Sequence, residues 1–342
     1  MPAPSNRNWV SSLRRLPFAG LLLVWSINAV AGDVPAMPGK MVDLGGHRLH
    51  VNCTGKGRPT VVVENGLGDL SFDWVLVQNQ VAQFTRICTY DRAGYAWSDP
   101  GPKPRTFAQI NLELRDALQK LGETGSYVLV GHSYGGPVVR NFALIYPAET
   151  AGVVFVDSAF EGERVGIGNH KTMRLGDGAK GVSIPAPREE MKESDRPVRP
   201  ANMPPPDQNL DPLYKALPAA EQKMQIWAQN LFAMYDADSS QTEWSAEYFE
   251  KWLKASQAGS LGKVPVIVLT RAEGGYGNND DVPAAQHERE RKEGQAKLVQ
   301  LSSNSKQVIV HSGHNMELEA PDEVTAAIRD MVDVLRTHKP LQ

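Results

Sequence analysis

The feature that most constrains the fold is a series of short, almost uninterrupted apolar runs separated by amphipathic stretches. Apolar strands without alternation are typical of parallel sheets that are buried on both faces. The segments 107–121 and 321–337 place apolar residues at helical spacing. Strands and helices that alternate in this way predict an α/β fold with a mostly parallel sheet covered on both faces. The predicted strands lie at 59–64, 84–90, 127–130, 153–156, 265–269 and 307–310, and a hairpin is predicted at 41–53.

The N-terminal segment 1–31 is predicted to be a secretory signal peptide. Three arginines precede the apolar run 16–24, and the small residues Ala-Val-Ala follow at 29–31. The apolar run is too short for a comfortable membrane span. We therefore expect cleavage after Ala31, no stable membrane span afterwards, and an exported protein that is periplasmic or secreted.

The composition argues against several classes of function. The chain has 342 residues, of which 41% are apolar and 22% charged, as in an ordinary globular domain. Its formal net charge of −3 argues against nucleic acid as a partner, because phosphate binding requires a basic face. The sequence contains no metal-binding motif and no dinucleotide fingerprint, so neither a metal nor a cofactor is predicted.

One motif carries the chemistry. Residues 131–135 read Gly-His-Ser-Tyr-Gly, which matches G-x-S-x-G. The motif follows the strand at 127–130 and opens a helix, which is the setting that a nucleophile elbow requires. Such a turn puts Ser133 in strained backbone geometry at a helix N-terminus, where the helix dipole favours developing negative charge. Gly131 and Gly135 are expected because the strand and helix backbones approach too closely for a β-carbon.

Further motifs accompany the elbow along the chain. They are Asn-Gly at 65–66, Asp-Arg-Ala-Gly-Tyr-Ala-Trp-Ser at 91–98, and Gly-His at 313–314 with Glu-Ala-Pro at 319–321. With these motifs the chain resembles the α/β-hydrolase family, in particular its esterase-like and lipase-like members with a cap. The resemblance covers about 41–160 and 264–335. It implies the α/β-hydrolase fold, with an eight-stranded, mostly parallel sheet and helices on both faces.

A break in the strand–helix rhythm defines the predicted domains. The stretch 160–262 is rich in proline and charge and becomes helical at about 218–233 and 245–258. An insertion of this length between two sheet strands is typical of a cap or lid. We predict a signal peptide at 1–31, a hydrolase core at 32–159 and 263–342, and a helical cap at 160–262.

The resemblance implies a general base near the C-terminus. Ser133 is not a nucleophile at its own pKa and needs an adjacent base. The family supplies a histidine after the last strand, and His314 follows Gly313 there. His314 is therefore the predicted base, whereas His311 is interpreted as a strand-end residue.

The family uses two positions for the triad acid. Asp157 directly follows a buried strand, one helix and one strand after Ser133, so we expect it beside the elbow. Many members place the acid after the next strand, where this chain offers Glu273, Asp280 or Asp281 but lacks the usual Gly-x-x-Asp pattern. Asp157 is the preferred acid, and the carboxylates of that later loop are the alternatives.

The resemblance also implies an oxyanion hole made of two backbone N–H groups. One belongs to Tyr134, which follows the nucleophile, and the other to Leu67 in the glycine-rich loop after the strand 59–64. Glu64, just before that loop, is interpreted as a buried structural carboxylate. The motif at 91–98 is interpreted as a support of its strand-to-loop turn through charge-assisted hydrogen bonds.

The two cysteines are predicted to form a disulfide. In the strand order that the resemblance implies, the strands that carry Cys53 and Cys88 are neighbours. Exported cysteines on adjacent strands are candidates for a bridge. The alternative is two buried free thiols.

These residues predict an exported serine hydrolase with a small, ester-like substrate, which is a carboxylic ester, a lactone or a thioester. A serine nucleophile excludes the epoxide hydrolases and haloalkane dehalogenases of the family, which use an aspartate. Two alternatives stay open: the same triad acting on an amide, peptide or C–C bond, and a non-catalytic α/β-hydrolase that binds its ligand. The charged run 287–292 is interpreted as a solvated helix face.

Overall fold

The fold was analysed in a computed structural model, which describes residues 34–166, 172–174, 185–199, 201, 203, 205–241, 257–272 and 282–341. The predicted signal peptide at 1–31, the alternative acids Glu273, Asp280 and Asp281, and most of the predicted helix 245–258 lie outside these residues. The predicted cap is described only in part, so its boundaries stay predictions.

An eight-stranded sheet forms the centre of the molecule, in the order β1-β2-β4-β3-β5-β6-β9-β10. Strands β1 and β2 form an antiparallel hairpin, and β2 also pairs antiparallel with β4. All further pairs of this sheet, from β4 to β10, are parallel. This arrangement confirms the predicted α/β-hydrolase fold. The strands are β1 Lys40–Asp43, β2 Arg48–Thr54, β3 Thr60–Glu64, β4 Ile87–Tyr90, β5 Tyr127–His132, β6 Thr150–Val156, a separate pair β7 Arg164–Gly166 and β8 Thr172–Arg174, then β9 Val266–Arg271 and β10 Ser305–Val310.

Helices connect the parallel strands and cover the sheet. Within the described ranges, every helix is too short or too polar to cross a lipid bilayer. The helices are α1 Val75–Val81, α2 Phe107–Lys120, α3 Gly135–Ile145, α4 Ala219–Ala228, α5 Phe232–Gln241, α6 Ala284–Val299, α7 Met316–Glu319 and α8 Pro321–Thr337, and a short 3₁₀ helix, Ser71–Trp74, precedes α1.

Different helices bury the two faces of the sheet, which explains why the strands are continuously apolar. In β3, Val61 and Val63 pack in one layer with side chains of α1 and α8. Val62 packs in the opposite layer with side chains of α2, α3 and α6. The three valines are at most 1% exposed, so a polar residue at any of them would lie in a core.

The two cysteines are joined by a disulfide, as the sequence predicted. Cys53 in β2 is the direct cross-strand partner of Cys88 in β4. The bridge thus ties the antiparallel edge of the sheet to its parallel part, and the residues between the two cysteines form a closed loop.

Removing this bridge is expected to lower stability without removing the fold. A Cys53→Ser, Cys88→Ser variant should lose about 2–4 kcal/mol of unfolding free energy, because the bridge closes a loop of 35 residues in the unfolded chain. Urea denaturation of the oxidised protein and the variant measures the difference. Thiol titration of the denatured, unreduced protein should detect no free thiol, and a count of two would contradict the bridge.

Candidate active site

Ser133 lies in the sharp turn between β5 and α3. Its φ is +48°, in the left-handed region that residues with a side chain rarely adopt. Two hydrogen bonds hold this backbone: the Ser133 N–H donates to the Val156 carbonyl at 3.2 Å, and the Ala159 N–H donates to the Ser133 carbonyl at 2.9 Å. The end of β6 thereby fixes a strained serine whose side chain remains partly exposed.

The glycines of the motif let the backbones approach. A β-carbon on Gly135 would come within 2.2 Å of the Glu64 carbonyl oxygen, and one on Gly131 within 2.6 Å of the Gly135 carbonyl oxygen. Real contacts of that length do not occur, so the need predicted for glycine at both positions is confirmed. The contact also brings the end of β3 against the elbow.

A Gly135→Ala variant is therefore expected to lose about 3 kcal/mol of unfolding free energy, because backbone atoms and not a flexible side chain block the new methyl group. Gly46→Ala is the matched control, since its β-carbon would meet nothing closer than 3.7 Å. Denaturant unfolding of both variants makes the comparison. Equal midpoints would show that the elbow relaxes at no cost.

His314 and Asp157 meet beside this turn. The loop after β10 carries His314, and Asp157 follows β6 directly, with a φ of +36°. His314 Nδ1 lies 2.6 Å from Asp157 Oδ2. The carboxylate is 4% exposed, whereas the imidazole side chain is 38% exposed. This contact fixes the ring so that its other nitrogen, Nε2, is left for proton transfer.

Within the described residues, no hydrogen bond joins the Ser133 hydroxyl to His314. In unliganded hydrolases such contacts are often long and tighten only when substrate is bound. The structure therefore brings together the predicted base and the preferred acid, beside the predicted nucleophile.

Two buried arginines hold the other side of the Asp157 carboxylate. Arg271 Nη1, at the end of β9, lies 3.0 Å from Asp157 Oδ2, and Arg291 Nη1, on α6, lies 3.6 Å from Oδ1. The interpretation of 287–292 as a solvated face is wrong for His287 and Arg291, which are 3% and 1% exposed. Helix α6 turns these two residues towards the sheet, where Arg291 completes the charge balance of the acid.

The electrostatics of the pair favour a neutral base and an ionised acid. Burial alone would raise the pKa of Asp157, but the hydrogen bond with His314 and the charges of Arg271 and Arg291 outweigh it and hold that pKa below its usual value. Burial lowers the pKa of His314; Asp157 opposes this effect, and the charges of His132 and Arg271 add to it. His314 is therefore neutral, and able to accept a proton, at neutral pH.

The loop that carries Leu67 is fixed from below by an arginine of the 91–98 motif. Arg92 Nη1 donates to Glu64 Oε1 at 2.9 Å and to the Asn65 carbonyl at 2.7 Å, and its Nη2 donates to the Gly66 carbonyl at 2.5 Å. Glu64 is fully buried and also accepts from Tyr90. The structural interpretations of Glu64 and of this motif are thus confirmed.

The two predicted oxyanion donors lie on the two loops that this packing brings together. Leu67 follows Gly66 in the loop after β3, and its side chain is 40% exposed. In the part of the chain that the structure describes, the Leu67 N–H donates to no protein acceptor, so it can donate to a substrate oxygen. Tyr134 is the residue before α3, at the end of the helix where the dipole favours negative charge.

A cluster of charged residues that sequence reasoning missed lies directly behind His314. His132 Nδ1 is 2.8 Å from Asp69 Oδ2, and His132 Nε2 is 3.0 Å from the His314 carbonyl oxygen and 3.8 Å from Glu317 Oε2. Asp69 Oδ2 also accepts from the Gly66 N–H at 3.0 Å. The cluster therefore links the loop of Leu67, the elbow and the loop of His314.

Two groups of described residues have the side-chain types and the proximity of metal ligands. The first is Asp69, His132 and Glu317, but both ring nitrogens of His132 already face oxygen acceptors. The second is Cys53, Cys88 and Glu123, whose sulfur atoms form the disulfide. Both groups are therefore explained by bonds within the protein.

The family of the chain follows from a comparison with family models. The model described as the alpha/beta hydrolase family matches residues 61–327, which is more than half of the chain. The chain therefore belongs to the alpha/beta hydrolase family. The match includes the elbow serine, Asp157 and His314.

Curated relatives match the chain over only part of its length. The chain is 34% identical over 129 residues to a probable transporter, efuK, of Hormonema carpetanum, a match that covers 35% of this chain and 18% of that protein. For the first three curated relatives, the chain covers 18% to 37% of their own length.

Solved structures match over most of the chain. A thermophilic esterase from Thermogutta terrifontis has a TM-score of 0.59 at 19% identity, covering 87% of this chain and 99% of that one. The CarC enzyme, a serine hydrolase involved in carbazole degradation, has a TM-score of 0.58 at 16% identity, covering 87% and 100%. At these identities the likeness shows the fold.

Proposed function

We propose that the chain is an exported serine hydrolase that cleaves a carboxylic ester, or a lactone or thioester, through Ser133, His314 and Asp157. The observation that carries the proposal is the 2.6 Å contact between His314 Nδ1 and Asp157 Oδ2 beside a strained serine at a helix N-terminus. In this proposal Ser133 is the nucleophile, His314 the base and Asp157 the acid of a Ser-His-Asp triad, since triads are recognised by geometry and role.

The reaction proceeds in two halves. Ser133 Oγ attacks the ester carbonyl carbon while its proton passes to His314 Nε2, and the carbonyl electron pair moves onto oxygen. The tetrahedral intermediate collapses, the C–O bond to the alcohol breaks, and the alcohol leaves with the proton from His314. Water, deprotonated by His314, then attacks the acyl-enzyme, and the acid leaves as Ser133 regains its proton.

The remaining groups stabilise charge during these steps. Asp157 accepts the Nδ1–H of His314 and stabilises the imidazolium that forms in each half. The N–H groups of Leu67 and Tyr134 are proposed to donate to the oxyanion, which is the site of greatest charge development. A lost oxyanion donor typically lowers the rate by about 10²–10³-fold.

Two comparisons support an ester substrate class and a serine mechanism. One neighbour in structure is described as an esterase and another as a serine hydrolase. Other neighbours are described as an epoxide hydrolase and as a structure of a putative epoxide hydrolase. Ser133 separates the proposed chemistry from the aspartate-based epoxide hydrolases that the family resemblance includes. Export is supported by the sequence pattern at 1–31.

The test is a p-nitrophenyl ester series, from acetate to palmitate, with the mature protein that begins at Gly32. We expect turnover with an optimum at one acyl chain length, and recovery of protein that begins at Gly32 from outside the cytoplasm. In parallel, a fluorophosphonate probe reports whether Ser133 is activated, whatever the substrate. Labelling without ester turnover would transfer the proposal to amide or C–C bonds, and absence of both would favour a binding protein.

A further inference from the structure

His132, the residue before the elbow serine, is 1% exposed and has an oxygen atom opposite each ring nitrogen. The His314 carbonyl oxygen, 3.0 Å from Nε2, can only accept, so Nε2 carries a proton. Asp69 Oδ2, 2.8 Å from Nδ1, already accepts the Gly66 N–H at 3.0 Å, which favours an ionised oxygen there. Nδ1 therefore also donates, and the ring with two N–H donors is an imidazolium.

The pKa shifts of the neighbouring carboxyl groups are consistent with a positive charge on His132 and a negative charge on Asp69. Burial would raise the pKa of Asp69, but the hydrogen bond and charge of His132 hold it below its usual value. Burial raises the pKa of Glu317 to about 7, and burial together with the Asp69 charge raises that of Asp73. At mildly acidic pH the cluster is thus an Asp69 carboxylate paired with His132, beside a protonated Glu317 and an Asp73 carboxyl whose pKa is raised.

This cation lies against the proposed base. The ring centroids of His132 and His314 are 4.7 Å apart at an interplanar angle of 43°. The counter-charge of His132, Asp69, is on the Nδ1 side, whereas the carbonyl oxygen of His314 is on the Nε2 side. The charge of His132 is one of the effects that lower the pKa of the adjacent His314 ring.

We propose that His132 is a positioning residue of the triad: a buried imidazolium that holds the His314 loop through its carbonyl oxygen and disfavours the protonated form of the His314 ring. The proposal deepens the proposed function, since it rests on His314 as the base. In this proposal the buried pair of His132 and Asp69 keeps His314 neutral at acidic pH values at which an ordinary histidine is protonated.

Other charged groups near the rings of His132 and His314 also affect the protonation of these rings. Glu317 faces His132 from α7. The Asp73 carboxyl, on the 3₁₀ helix, faces Asp69 and Glu317, and Tyr214 faces the same three carboxyl groups. Asp157 and Arg271 face His314 from β6 and β9. Asp157 favours protonation of His314, whereas burial and the charges of Arg271 and His132 oppose it. Asp69 also interacts with His314.

The first test observes charge directly and needs no substrate. In the Ser133→Ala protein, labelled with ¹⁵N-histidine, both ring nitrogens of His132 should keep imidazolium shifts from about pH 5 to 8, because the pKa of His132 is raised to about 10. Ring-to-backbone correlations in the ¹³C,¹⁵N-labelled protein assign the signals, and the His132→Gln spectrum checks the assignment. An ordinary titration of His132 near pH 6.5 would overturn the proposal even if that variant failed to fold.

The second test measures the consequence. In His132→Gln, the titration midpoint of His314 and the acidic limb of kcat/KM should both move to higher pH by about 1 unit, because a cation that disfavoured protonation is gone. A matched control is His50→Gln, which removes another buried histidine paired with an aspartate, Asp91, but without a ring contact to His314 within the described residues. The acidic limb of kcat/KM in His50→Gln should stay at the pH found for the unmodified protein.

The outcomes separate this proposal from the proposed function. A loss of rate in His132→Gln with an unmoved His314 midpoint would show a merely structural role and overturn the proposal. If no ester is cleaved by the unmodified protein, the NMR midpoints still decide whether His132 is charged and acts on His314. In that case the proposed function fails alone.

Discussion

Replacing Ser133 with alanine is expected to lower kcat/KM for a p-nitrophenyl ester by about 10⁴–10⁶-fold, with little change in stability. The hydroxyl oxygen is the only atom that the mutation removes, and it makes no hydrogen bond within the described residues. The residual rate should come from the oxyanion donors and from substrate binding, which the variant retains. Initial-rate assays at matched protein concentration measure the rates of the unmodified protein and of the variant.

A second substitution at this position separates strain from chemistry. Ser133→Gly removes the same nucleophile but also relieves the φ of +48°, so it should be more stable than Ser133→Ala by about 1 kcal/mol. Both variants should be equally inactive. An alanine variant that retains a tenth or more of the rate would show that the turnover is not Ser133 chemistry.

The fold was predictable because its signals are local. The predicted closing helix 321–337 has the bounds of α8, and each predicted strand overlaps a sheet strand, with boundary differences of a few residues, as at the start of β6 and the end of β5. Hydrophobic periodicity and glycine placement act over a few residues and can be read from the sequence. The helix α1 and the start of α6 were not predicted, because their apolar residues do not stand out from their neighbours.

The candidate site was only partly predictable, because its supporting charges come from distant segments. The elbow motif indicates Ser133, and the end of a buried strand indicates Asp157, but no local pattern indicates that Arg291 would turn inwards from a charged helix. The same holds for the pairing of His132 with Asp69, which are 63 positions apart. A weak signal existed: both residues flank glycine-rich loops whose backbones must approach each other.

Replacing Asp157 with asparagine is expected to lower kcat by about 10⁴-fold, because an amide oxygen and nitrogen cannot hold the His314 tautomer as a carboxylate does. The 2.6 Å contact to Nδ1 is the interaction that changes. Glu273→Gln and Asp280→Asn test the alternative acids of the later loop. If either of these lowered kcat as strongly while Asp157→Asn stayed active, the acid would belong to that loop.

The same variant should also be less stable, and the loss should depend on pH. Arg271 and Arg291 would face a neutral amide, which for a buried pair costs about 3 kcal/mol at neutral pH. Because the folded-state pKa of Asp157 lies below its unfolded value, its stabilisation is present above about pH 4 and is lost as the pH falls through the folded pKa. The difference in unfolding free energy should therefore shrink below that pH.

A remote pair provides the control for both readouts. Asp195 is 2% exposed and lies 2.6 Å from Arg188 Nη2, so Asp195→Asn also breaks a pair with a buried carboxylate. It should destabilise the fold yet keep full turnover, because it contacts no group of the proposed triad within the described residues. Both variants are assayed under conditions in which they are fully folded. If only Asp157→Asn loses activity, the cause is the loss of the carboxylate that orients His314 and not a general loss of structure.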